Sequence, residues 1–170
     1  MESSLFKSLI VILILFMMFL LTLGLVRVTI NNADKTRMVT EGESVHSYPE
    51  TISLDALELN VDESLKIQKA IIIKNPDDVR NYIINSIVDR YSNRNDISIK
   101  SSDITNMTVF RGDFKKMSRG KGDRLIQEDK DRPYVIFDLR VNFTSIIKDS
   151  GPTSKTYKVE AKLTHMPTTD

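Results

Sequence analysis

The stretch SLIVILILFMMFLLTLGLVR, Ser8 to Arg27, decides how the rest of the chain is read. A cell can cut such a run off as a signal peptide, keep it as a membrane anchor, or use it as the packing spine of a filament subunit. Leu9 to Val26 holds 18 residues without a charge. At about 1.5 Å of helical rise per residue, that is just enough to cross a hydrocarbon core about 30 Å thick. A signal peptide has an apolar core of roughly 7 to 15 residues followed by small residues at a cleavage site. Here the run is longer and ends in Gly24-Leu25-Val26-Arg27, so retention as an anchor is the expectation. Leucine, isoleucine, phenylalanine and methionine cover every face of the segment, which leaves no polar side for water and argues against a core helix of a soluble domain.

Outward from this run the chain changes character. There are 24 basic and 23 acidic residues, a net charge of +1, so no global field points to nucleic acid as a partner. The 143 residues beyond Arg27 suffice for one modest core. The absence of cysteine excludes a disulfide framework, a thiol nucleophile and a cysteine-ligated zinc site. Flanking charge is ambiguous. Lys7 precedes the apolar run, whereas Arg27, Lys35 and Arg37 follow it, a count that leans toward a cytoplasmic C-terminus. Long domains translocate largely regardless of such charges, and a short tail before the run stays inside as in a signal anchor. The expectation is a single-pass protein of the cell membrane with its head outside the cytoplasm.

The sequence divides into an anchor helix over residues 1–30, a stalk or linker over 31–52 and a head domain over 53–170. The segment NNADKTRMVTEGESVHSYPET, Asn31 to Thr51, has few large apolar residues and no clear period; the apolar helix is expected to continue into it by a turn or two. From Ser53, Leu54, Leu57, Val61 and Leu65 recur at helical spacing and predict an amphipathic helix to about Ile73, with a break near Asn60. NPDDVRNYIINSIVDRYSN predicts a second helix. Asn75 can cap it, Pro76 suits its first position, Asp77 and Asp78 face the positive end of its dipole, and Val79, Tyr82, Ile83, Ser86, Ile87 and Tyr91 share a face. Beyond Asp96 the period falls to two. ISIKS and DITNMTVFRGD read as short strands, with Ile97 and Ile99 on one face. YVIFDLRVNFT, Tyr134 to Thr144, is the strongest strand, with Val135, Phe137, Leu139, Val141 and Phe143 on one face and Asp138, Arg140 and Asn142 on the other. The turn KDSGPTSK leads into a second alternating strand carrying Tyr157, Val159, Ala161 and Leu163, an antiparallel hairpin. The fold class is α+β: two helices on one face of a three- or four-stranded antiparallel sheet.

Arg111 to Pro133 is the longest irregular stretch. Between Arg111 and Arg124 it carries six basic residues against two acidic ones. Lys115, Lys116, Arg119, Lys121 and Arg124 are the candidate contacts for an anionic surface: acidic lipid headgroups, teichoic acid, nucleic acid or an acidic partner. A solvated hairpin loop accounts for the same charges. With no tryptophan, and only Phe114 there for base stacking, nucleic acid is not expected. Gly120 and Gly122 lack the spacing of a phosphate loop. The RGD at Arg111 to Asp113 is short enough to arise by chance. Asn106 and Asn142 fit the glycosylation pattern, which matters only in a eukaryotic secretory pathway. The two histidines, His46 and His165, have no partner at metal-ligand or triad spacing. No catalytic residue, metal or cofactor is assigned, and the chain is not expected to be an enzyme.

An apolar helix at Leu9 to Val26, a stalk and a small helix-plus-antiparallel-sheet head resemble, in layout, the pilin-like and pseudopilin-like proteins of tight-adherence and type IV-like pilus or secretion systems, including the small TadE-like membrane proteins. The resemblance implies a non-enzymatic, membrane-anchored component of a cell-envelope assembly. Its partners are then membrane lipid through Leu9 to Val26 and other envelope subunits. It also implies packing between subunits through that helix. Lys7-Ser8 stands where such proteins have a glycine-type processing site, and no acid lies within Leu9 to Val26, which points to an unprocessed minor or assembly component. The alternative from another class is a membrane-tethered scaffold module of a conjugation or secretion channel with an NTF2-like head.

Overall fold

The computed structural model describes residues 2–66, 70–118, 123–144 and 153–164. Its first helix, α1, runs from Glu2 to Leu59, 58 residues without interruption and about 87 Å long. The expected stalk is therefore helix throughout, and its upper part belongs to the head. Gly42, Val45, Pro49, Ile52, Ser53, Ala56 and Leu57 are buried along one stripe of α1 at spacings of three and four. Pro49 removes the amide that would donate to the Val45 carbonyl. The buried Ser53 hydroxyl donates to the Pro49 carbonyl at 2.6 Å, so burial leaves no bare hydroxyl there.

The helix expected from Ser53 to Ile73 is the end of α1 plus one turn, α2 (Glu63–Lys66). From Ile71 to Ile73 the chain is not helical. Val61 bridges Ile73 antiparallel, the Asp62 amide donates to the Ile72 carbonyl at 2.8 Å, and Ile71, Ile72 and Ile73 are buried. Three consecutive β-branched residues favour that conformation over a helix. The next helix, α3 (Pro76–Ser92), forms as its ends dictate. Asn75 accepts from the Asp77 amide at 3.1 Å, and Val79, Ile83, Ile87 and Tyr91, four apart, are buried. Tyr82 lies at the margin of this face, 37% exposed.

The sheet is antiparallel and built around one strand. The short strand β1 is Ile97–Ser98, β2 is Ile104–Phe110, β5 is Tyr134–Phe143 and β6 is Thr153–Lys162. Along one edge β5 pairs with β6 over its whole length, from Tyr134↔Lys162 to Phe143↔Thr153. The other edge is shared, β2 pairing with Tyr134 to Leu139 and β1 with Asn142 and Phe143. A bulge between Thr105 and Thr108 bends β2, and Asn106 there has φ +53°. Val135, Phe137, Leu139, Val141 and Phe143 all point to one face and are buried under α3 and the upper part of α1, with Val159 and Ala161 beside them. The turn between β5 and β6 lies outside the described residues.

The stretch from Arg111 to Pro133 is not irregular. It contains a second, two-stranded sheet of β3 (Lys115–Ser118) and β4 (Asp123–Ile126), and a helical turn at Asp129–Asp131. Gly112 admits the chain to this region. Its φ is +93°, and a Cβ there would lie 2.8 Å from the Ile71 carbonyl oxygen and 3.0 Å from the Pro133 ring. The RGD thus has a structural use, since the Arg111 Nε also donates to the Ile73 carbonyl at 2.7 Å.

Candidate functional site

Among the described residues two features stand out, the exposed apolar lower half of α1 with its junction to the head, and the basic hairpin. Along α1, Phe6, Leu9 to Leu21, Leu23, Leu25, Val26 and Val28 stand open, from 41% exposed at Ile10 to 66% at Ile12 and Leu25. The helix is long and apolar enough to cross a membrane, and none of its most apolar window is buried within the protein. The hydroxyls of Thr22 and Thr29 do not need water. Thr22 donates to the Phe19 carbonyl at 2.8 Å and Thr29 to the Leu25 carbonyl at 2.9 Å, so each is satisfied inside the helix.

The junction lies at the neck-side end of the sheet. Arg37 reaches from α1 to the Thr144 carbonyl at 2.6 Å, just past β5. Four residues on, Glu41 accepts from Arg94 at 2.9 Å. Arg94, just past α3, grips Asp96 through two nitrogens. The hydrogen bonds from Arg94 hold the Asp96 carboxyl below its ordinary value, and Asp96 and Glu41 in turn hold Arg94 more firmly charged. The side chains of Arg94, Glu41 and Asp96 are 35%, 31% and 35% exposed, so solvent screens the network and its energetic contribution is modest. Its geometric effect is larger, because it ties α1, the end of α3 and the end of β5 at the point where the apolar rod leaves the head.

Just above, α1 lies against β6. Gly42 is a notch for the Tyr157 ring, since a Cβ at this position would collide with the Tyr157 hydroxyl. His46 sits with Nε2 3.1 Å from the Lys158 carbonyl oxygen and Nδ1 3.3 Å from Glu50. Val39, Gly42, His46, Ser47, Lys155 and Tyr157 line an open groove of about 370 Å³ there. His46 is thus part of the helix–strand contact, while His165 lies outside the described residues. Among the described residues no group of three His, Cys, Asp or Glu side chains is placed to share a metal ion. The two glycosylation-pattern asparagines have engaged amides, Asn106 with Asp138 at 2.7 Å and Asn142 with Asp103 at 3.2 Å.

Of the five basic residues singled out, Lys115 and Lys116 lie exposed on β3 and Arg124 lies in β4, while Arg119 and Lys121 are outside the described residues. The sequence did not single out Arg37, Glu41, Arg94 or Asp96. The one available signal was the spacing of four between Arg37 and Glu41, which has meaning only once that segment is known to be helical. No family model, no curated protein and no solved structure matches the chain.

Proposed function

We propose that the protein is a non-enzymatic, single-pass component of a cell-envelope assembly, a pilin-like or pseudopilin-like subunit or assembly factor. In this reading Leu9 to Val26 lie in the cell membrane and the head lies outside the cytoplasm. The observation that carries the reading is the continuity of α1: one helix supplies both the bare apolar rod and one of the two helices that cover the sheet. A hinged tether would need only an anchor and a flexible stalk. A rod built into the head core instead fixes the head's orientation to its apolar segment, as a subunit packing through that segment requires.

The rival, a membrane-tethered scaffold with an NTF2-like head, calls for a concave sheet around a lined pocket. Here Phe137, Leu139, Val141, Ile83, Ile87 and Leu57, all fully buried, fill the space between sheet and helices.

The test is membrane fractionation with N-terminal sequencing, combined with crosslinking. The chain has no cysteine, so single substitutions such as Leu13→Cys and Phe16→Cys give unique crosslinking sites. The expected result is a membrane-bound chain that keeps Leu9 to Val26 and crosslinks through it to itself or to another envelope subunit. A soluble mature chain starting near Asn31 overturns the anchor, and an anchored chain without such crosslinks overturns the assembly role.

A further inference from the structure

The edge of β5 that β1 and β2 share has a gap in it. β2 pairs with β5 as far as Leu139, opposite Ile104, and β1 takes the edge up again at Asn142, opposite Ser98. Arg140 and Val141 have no strand partner on that side. The Leu163 amide donates to the Pro133 carbonyl and the Thr144 amide to the Asp96 carbonyl, which fixes the alternation. Odd-numbered residues of β5 turn their backbone groups toward β6, and even-numbered ones toward β1 and β2. The N–H and C=O of Arg140 therefore face the gap. Lys100 would pair with them if β1 ran on. Instead its amide donates to the Asp103 carboxylate at 2.9 Å, and the chain turns away through Ser101–Asp103.

On the face of the sheet opposite Leu139 and Val141, the gap opens into a cleft of about 420 Å³ whose lining includes Ser98, Lys100, Asp103, Arg140, Asn142 and Thr144. That volume suits a small polar molecule. The cleft offers two kinds of group. Lys100 and Arg140 are exposed cations, and neither forms an ion pair among the described residues; Arg140 uses one donor on the Ser154 hydroxyl at 3.3 Å. Asp103 and Asn142 supply acceptors. The Asn142 Nδ2 donates to the Ser98 carbonyl at 3.4 Å and to the Asp103 Oδ2 at 3.2 Å, so its amide can be oriented only one way. The Oδ1 atoms of Asn142 and Asp103 have no partner among the described residues.

Two cations outnumber one carboxylate, so the cleft is net positive. A bare anion leaves the two Oδ1 acceptors unmatched, and a neutral polyol leaves the cations unmatched. A molecule with an anionic end and hydroxyl groups meets both. The donors, the Lys100 ammonium, the Arg140 guanidinium and the Arg140 amide, converge from separate elements, which suits the tetrahedral oxygens of phosphate better than a planar carboxylate.

We infer that this cleft binds a phosphate-bearing polyol, its phosphate on Lys100 and Arg140 and its hydroxyls on Asp103 and Asn142. Arg37 holds Thr144, at the cleft's rim, about 16 Å of helix beyond Val26. A headgroup layer is about 5 to 8 Å thick. On the reading that Leu9 to Val26 cross a bilayer, the polyol is therefore not a headgroup of that bilayer.

The test uses the full chain in neutral-lipid nanodiscs and calorimetry with glycerol 3-phosphate, inorganic phosphate and glycerol. The expected result is saturable binding of glycerol 3-phosphate that weakens with salt, inorganic phosphate bound about tenfold more weakly, and no binding of glycerol. Lys100→Gln and Arg140→Gln should each weaken glycerol 3-phosphate binding about tenfold at an unchanged melting midpoint. Lys158, opposite Asp138 on the same sheet face, lies outside the cleft, so Lys158→Gln should bind as the parent does. Hydrogen exchange of the Arg140 amide should slow in the bound protein. Nanodiscs containing phosphatidylglycerol should leave the affinity unchanged. Equal binding of inorganic phosphate, an unchanged affinity in Lys100→Gln or Arg140→Gln, an equal loss in Lys158→Gln, or an Arg140 amide that exchanges as before each overturns the inference. So does loss of binding in phosphatidylglycerol, or no saturable binding up to about 10 mM. None of the arms in neutral lipid depends on how the chain fractionates or crosslinks in cells, so this reading and that of the anchor fail separately.

Discussion

Cutting the chain at Ser53, where its clear amphipathic pattern begins, should cripple the head, while cutting it at Ala33 should not. Both truncations remove the exposed apolar segment, and only the first removes α1 residues that sit in the core. Val45 is 1% exposed and Ile52 is 9%, and burying an aliphatic side chain of this size stabilises by about 1.5 to 3 kcal/mol. Their loss is therefore about 3 to 6 kcal/mol, before counting the surface of α3 and β6 that they cover. The loss of Arg37 and Glu41 adds less, because the junction is screened. Set against a total stability of about 5 to 15 kcal/mol for a domain, this lowers the melting midpoint by about 10 °C or more, or prevents folding. Circular dichroism melts and size-exclusion profiles of the two truncated chains measure it. If the chain starting at Ser53 melts within a few degrees of the chain starting at Ala33, then α1 above the neck is not part of the head core.

Phe137 is fully buried in the centre of β5 opposite Val159. In the chain starting at Ala33, Phe137→Ala should cost about 3 to 5 kcal/mol, read as a lower urea midpoint at an unchanged slope. Asp96 supplies a pH dependence. Its folded value lies below the ordinary 3.8. Its contribution is therefore complete above that ordinary value and lost as pH falls through the lower folded one. Melting midpoints followed downward from pH 5 should fall less in Asp96→Asn than in the parent chain, and parallel curves would remove Asp96 from the account.

The parts of this fold that could be read from sequence are those whose local signal and tertiary role coincide. The alternation of Val135, Phe137, Leu139, Val141 and Phe143 and the cap of Asn75 and Pro76 are local patterns that survive in the structure unchanged. The upper part of α1 was obscured because its buried stripe is thin. Val45, Tyr48, Ile52 and Ala56 keep helical spacing, but the other members of the stripe, Gly42, Pro49 and Ser53, carry no large apolar side chain, and its partners on α3 and β6 lie about 40 and over a hundred positions away. Ile71 to Ile73 were misassigned because an apolar run fits a buried helix or a buried strand equally well, and the β-branched side chains decide it. The hairpin was hidden because Met117 stands alone among charges in β3 and the adjacent Leu125 and Ile126 show no alternation. Of the candidate site, the apolar rod was legible from composition. The junction was not, because Arg37, Glu41, Arg94, Asp96 and Thr144 are brought together only by the completed fold.

The contact of α1 with β6 has a consequence for how the protein is made. His46 meets the Lys158 carbonyl across 112 positions of sequence, and β6 is the last element of the described chain. During synthesis the apolar segment leaves the ribosome well before the strand that covers Gly42 and His46. Contacts this distant in sequence form slowly, and until they form the side of α1 that carries Gly42 and His46 is bare. The interval between the arrival of α1 and the closing of β6 over it is therefore the period in which the nascent chain is most exposed to aggregation and proteolysis, and in which a chaperone that shields helices has its use.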